Sequence, residues 1–213
     1  MTTNTDQTLP VHELLRRKSF IRSLNAADWI FALVIASAAV FVQTNIDFHM
    51  DIYEMVILWT SAGAAMLLGW FFKPMRWFIL LCLALAYGAL SLYRGDIGNA
   101  DGFLLKYFLS SQSAIMWQCA FVFFALFAYI SGAFVATRRN SETSTLLGMA
   151  TVFAWISAVA GFTGLLVRWH ESYLLRPDAG HIPVANLYEV FILFLVITAL
   201  MYLYYEKRFG IRK

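Results

Sequence analysis

The stretch that decides the fold is NLYEVFILFLVITALMYLYY, Asn186 to Tyr205. An asparagine, a tyrosine and a glutamate open it, and no charge interrupts the run from Val190 to Tyr205. A helix of about 20 such residues crosses the roughly 30 Å hydrocarbon core of a bilayer. Five further runs are long and apolar enough to do the same, near 27–45, 54–72, 76–93, 114–136 and 146–167, with the last spanning 188–205. The chain has 213 residues, of which 61% are hydrophobic and only 14% charged, so these runs leave little sequence for anything else. The expectation is an all-α polytopic membrane protein of about six transmembrane helices with one interfacial helix. In domain terms, 1–26 is a cytoplasmic segment, 27–206 the six-span membrane domain and 207–213 a basic cytoplasmic tail.

The first 28 residues are polar and basic, with no apolar core before Trp29 and no small-residue cleavage pattern, so the first span reads as a retained anchor rather than a removed signal. Cys82 and Cys119 both fall inside spans, and the sequence has no C-x-x-C, so a disulfide framework, a zinc cluster and a c-type haem attachment site within the chain are excluded.

Charge sets the orientation. With the amino terminus in the cytoplasm, twelve lysines and arginines lie inside, among them Arg16, Arg17, Lys73, Arg76, Arg138 and Lys207. Only four, Arg94, Lys106, Arg168 and Arg176, lie outside. Both termini are then cytoplasmic. The net charge of +3 comes from residues flanking spans and calls for no nucleic-acid partner. His49, His170 and His181 collect at the outer face, while the membrane interior holds almost no charge, which argues against a transporter.

Two outer segments are more than plain connections. Phe103, Leu104, Tyr107 and Phe108 recur at helical spacing within 101–113, which predicts a short helix lying flat in the outer interface. The stretch HESYLLRPDAGHIP, 170–183, mixes aromatic residues, charges and prolines and reads as an ordered surface loop. Small residues line one face of two spans: Ala62, Ala65 and Gly69 in the second, and Ala154, Ala158, Gly161 and Gly164 in the fifth. That pattern serves close helix packing.

The opening motif has an echo. Asp51-Ile52-Tyr53-Glu54 and Asn186-Leu187-Tyr188-Glu189 share the form Asp/Asn-apolar-Tyr-Glu, and each starts a span running inward from the outer face. Asp51 and Asn186 are good helix caps, and a glutamate three positions later can reach back to the cap's N–H and face the positive end of the helix dipole. Tyr53 and Tyr188 then sit at headgroup level. Around the second copy stand His181, Arg168, Trp169, His170 and Tyr188. This set suits a flat anionic cofactor, with rings to stack, a guanidinium for carboxylates and imidazoles for a metal. Haem meets the description, as do a quinone headgroup and a lipid phosphate.

The segments FLLKYFLSSQSAIMW (103–117), GFTGLLVRWHESYLLRPDAGHIPVANLYEVFILF (161–194) and ITALMYLYYEKR (197–208) resemble the amino-terminal half of the CcsA/ResC-type c-type cytochrome biogenesis proteins, often labelled CcsB. The G-H-x-P-x-x-N-x-Y-E core and the preceding R-W carry the resemblance. It implies a component of the system II haem-export and cytochrome c haem-lyase machinery in the bacterial cytoplasmic membrane. Such a component works with a ResB-type partner and presents haem to apocytochrome c at the outer face. The family's tryptophan-rich haem-handling segment and its ligand histidines lie downstream of the Y-E helix. This sequence ends at Lys213 without them, so it is expected to be an amino-terminal fragment or a split or degenerate member, and no family ligand transfers to a residue here. Ala185 stands where relatives often have serine. The expected haem-contacting residues are therefore His181, His170, Arg168, Trp169 and Tyr188, with no catalytic residue and no metal ligand assigned. The alternative expectation is a membrane assembly module that binds a partner protein without touching haem.

Overall fold

The computed structural model describes residues 24–46, 51–139, 145–175 and 182–210. Among them are six long apolar helices and no strand. They are α1 (Ala26–Ile46), α2 (Ile52–Phe71), α3 (Pro74–Tyr93), α4 (Ser111–Arg139), α5 (Thr145–Leu175) and α6 (Leu187–Phe209). Each is long and apolar enough to cross a bilayer, so the fold is that of an all-α polytopic membrane protein, as the sequence predicts. The helices alternate in direction. The near end of the bundle carries the start of α1, the α2–α3 joint and the close of α6. The far end carries the starts of α2 and α6 and the segment between α3 and α4.

Local chemistry sets the boundaries. Pro74 cannot continue α2, because it lacks an N–H, but it suits the first position of α3, and Phe72 turns extended between the two. At the far end α3 stops where Arg94 and Gly95 both adopt positive φ, 49° and 77°. The side chains facing outward include Phe41, Trp77, Phe127, Phe134 and Phe194, all more than half exposed or nearly so, as lipid-facing positions require.

Helix α5 is the centre of the bundle. Its span is 56% buried, against 22–33% for the other five, and it packs against α3, α4 and α6. The small residues read from the sequence make this possible. Ala154 and Ala158 are buried, as the sequence expects, and so is Ala150 one turn earlier; a Cβ on Gly164 would lie 3.0 Å from Ile115 Cγ1 and 3.2 Å from Ala114 Cβ of α4. A Cβ on Gly161 would run into the Gln118 side chain. In α2, Gly69 receives the ring of Phe31 from α1 in the same way, and Ala62 is buried nearby. Without a hydrophobic driving force between helices in lipid, such close approach is what binds them.

One expectation is corrected and one is refined. The stretch from Arg168 to Leu175 is not loop but the last two turns of α5. Glu171 and Ser172 are buried there, with their polar groups bonded, so the backbone gains by staying helical. Of the rest of the expected loop, 176–181 lie outside the described residues. The helix expected over 101–113 runs from 103 to 109, its last five residues (Leu105–Leu109) π-helical, with a 3₁₀ turn (Ile97–Asp101) before it and α4 after it. Ser110 is extended, which breaks the path, while buried Leu105 anchors the segment against Ala89, Tyr93 and Val167. Phe103, Leu104, Tyr107 and Phe108 are nonetheless all exposed together, on the face the sequence predicts.

Candidate functional site at the far end

Charged residue types in the described helices lie within about two turns of a helix end. Five carboxylates there are buried: Asp28 and Glu206 at the near end, and Glu54, Glu171 and Glu189 at the far end. A buried carboxylate is tolerated only with donors, and each of these has them.

The two Tyr-Glu motifs account for two of the three at the far end. Both helix starts form capping boxes: the Asp51 N–H donates to Glu54 Oε2 at 3.2 Å and the Asn186 N–H to Glu189 Oε2 at 3.4 Å. Tyr53 and Tyr188 are 81% and 59% exposed, as headgroup-level tyrosines should be. The sequence did not reveal that each glutamate has a second duty. Tyr173 of α5 donates its hydroxyl hydrogen to Glu54, and Arg168 of α5 donates from Nε to Glu189 Oε1 at 3.4 Å. The echo is therefore a pair of docking points that fix α2 and α6 to the same helix.

Glu171 is the third. Its Oε1 accepts from the Tyr93 hydroxyl and, at 3.0 Å, from the Ser111 N–H; its Oε2 accepts from the Ser111 hydroxyl. The end of α3, the start of α4 and α5 thus meet on one carboxylate. Arg168 Nη1 stands 3.9 Å from Glu171, one helical turn away, so its guanidinium lies between two carboxylates. Sequence reading placed Glu171 at the outer face but missed this role. The only signal was a lone acidic residue on the inward face of a helix that was read as a loop.

No match was found among family models, curated proteins or solved structures.

Of the five residues expected to contact haem, α5 holds Arg168, Trp169 and His170 within one turn, and Arg168 reaches the start of α6 through Glu189. Tyr188 is beside that contact in sequence, but its side chain is largely exposed. His181 lies outside the described residues. His170 packs its ring 6.3 Å from that of Tyr93, and its Nε2 is buried with no hydrogen-bond partner among the described residues. A buried, unpaired imidazole nitrogen is the donor type that haem iron takes, so His170 fits the group in chemistry. Arg168 fits less well, because a propionate would have to compete with Glu171 and Glu189 for it. Among the described residues no three His, Cys, Asp or Glu side chains are placed to hold a metal ion on their own.

Proposed function

We propose that this chain is a membrane component of system II cytochrome c maturation, supporting haem delivery to apocytochrome c at the outer face of the bacterial cytoplasmic membrane alongside a ResB-type partner. The reading rests on the G-H-x-P-x-x-N-x-Y-E sequence and the R-W before it, read as belonging to that class of protein. The single structural observation that supports it is His170, whose Nε2 is buried without a hydrogen-bond partner among the described residues, beside the carboxylate-held Arg168 at the end facing away from the basic flanks. In this reading the near end is cytoplasmic, and His170 with His181 forms the part of the chain that meets haem.

The test has two readouts. Full-length protein purified with haem should show a Soret band whose position shifts in His170→Ala. A host that depends on this protein should lose holocytochrome c in the same variant at unchanged protein level. Wild-type protein with no Soret band, together with normal maturation in His170→Ala and His181→Ala, would overturn it.

A second reading, an assembly module that holds a partner without haem, has its own support. Glu54, Glu171, Glu189 and Arg168 are all engaged in tying the far-end helices together, while Phe103, Tyr107 and Phe108 form an exposed aromatic group beside them. Loss of co-purification with the partner in Phe103→Ser/Phe108→Ser, with haem spectra absent throughout, would favour this reading.

A further inference from the structure

At the near end, two lysines from different elements emerge at the rim of one apolar recess. The recess, about 420 Å³, lies between the start of α3, the early turns of α5 and the last turn of α6, with Pro74, Trp155 and Leu203 as its apolar walls. Lys207 lines it and is exposed, and its ammonium lies 5.7 Å from the centre of the Phe72 ring. Phe72 also meets Tyr204, ring centres 5.3 Å apart, which holds the α2–α3 joint against α6. Lys73 stands between Phe72, which Lys207 touches, and Pro74, which walls the recess, so it shares that rim. Lys73 is exposed too, and among the described residues neither lysine is ion-paired.

The buried carboxylates of this end are already committed. Asp28 is paired with Arg76. Glu206, also on the recess wall, is 5% exposed and accepts from Thr151 at 2.6 Å and Tyr129 at 2.9 Å, so it takes no ligand, and its charge keeps an anion at the rim. Leu203 lies one turn deeper on α6 than Lys207, and Trp155 one turn deeper on α5 than Thr151, so apolar wall begins where the charged rim ends. A basic rim over an apolar cleft between spans matches a phosphate with hydrocarbon below it. We propose that this rim binds an anionic phospholipid whose headgroup carries no cation of its own. Its phosphate lies at Lys73 and Lys207, and its glycerol and first acyl carbons run inward past Leu203 and Trp155. A free phosphate has the charge without the apolar part. A zwitterionic lipid brings its own ammonium to the two lysines, which repel it.

The experiment is native mass spectrometry of the full chain in detergent, titrated with phosphatidylglycerol, phosphatidylethanolamine and phosphatidylcholine of matched acyl chains. Phosphatidylglycerol should bind about tenfold more tightly than either of the others. Lys73→Gln and Lys207→Gln, both at exposed positions, should each weaken it about fivefold, while Lys207→Arg keeps the charge and should retain it. Arg208→Gln removes an exposed cation that does not line the recess and should leave binding unchanged. Equal binding of the three lipids, or a preference that survives in the Lys73→Gln/Lys207→Gln double variant, would overturn the assignment. A loss in Arg208→Gln as large as in Lys207→Gln would show diffuse surface charge in place of a site and would overturn it as well. Glycerol 3-phosphate that displaces phosphatidylglycerol at equal concentration would refute a lipid source.

Discussion

Tyr173, in the last turn of α5, donates its hydroxyl hydrogen to Glu54 at the start of α2, joining residues 119 apart in the chain. The same carboxylate closes the capping box of its own helix. One side chain therefore both starts a span and docks it.

Tyr173→Phe should remove the docking bond while leaving the cap. A hydrogen bond to a charged group is worth about 1.5–3 kcal/mol, so a loss of that order is expected in chemical unfolding of the detergent-solubilised protein. Glu54→Ala removes both functions and should cost more. A double-mutant cycle between the two positions checks that the energy belongs to the pair.

The Arg168–Glu189 pair should respond unequally to its two partners. Glu189 is 2% exposed and also serves the Asn186 cap, whereas the Arg168 side chain is 33% exposed. Removing Glu189 leaves Arg168 with Glu171 alone, at 3.9 Å, and uncaps the helix start. Removing Arg168 leaves a carboxylate that still accepts from the Asn186 N–H. Glu189→Ala should lower the melting temperature more than Arg168→Ala; the reverse order would show that the ion pair outweighs the cap.

Glu171→Ala should act locally first. It orphans the Tyr93 hydroxyl and both donors of Ser111, each costing about 1–3 kcal/mol when buried. Hydrogen exchange should rise across 93–113, where the turn segments depend on that carboxylate, before it rises in α6.

Gly69→Ala should be destabilising by about 1–3 kcal/mol, because the added methyl enters the space of the Phe31 ring, which is only 4% exposed and has nowhere to move. Phe31→Leu should recover part of the loss in the double variant. At Gly161 the obstacle is the tip of Gln118, which is fully buried, so the added methyl displaces it within the core and forfeits its 3.4 Å bond to the Ile192 carbonyl. Gly161→Ala is expected to cost at least as much as Gly69→Ala, measured by the same unfolding assay.

Orientation is open to direct measurement. In a background with Cys82 and Cys119 replaced by serine, a membrane-impermeant maleimide applied to intact cells should label Arg94→Cys and leave Arg208→Cys unlabelled until the cells are opened. Both positions are exposed and outside the packed core. The opposite pattern would reverse the assignment of the basic end to the cytoplasm.

The sequence by itself determined the six apolar spans, the small-residue faces of the second and fifth, and the two helix starts. Span length, small-residue spacing and the Asp51 to Glu54 and Asn186 to Glu189 caps are all local properties, settled by a few neighbouring residues. The end of α5 was not legible: Arg168 to Leu175 is polar enough to read as loop, and it is helical because Tyr93, Ser111 and Glu54, distant in the chain, satisfy its side chains. Only the tertiary structure decided which helix is central and which carboxylates meet which donors. Those pairings also join the two Tyr-Glu motifs to a single helix. In lipid every helix looks equally apolar from outside, and only the polar contacts near their ends and the fit of glycine against a neighbour distinguish one arrangement from another.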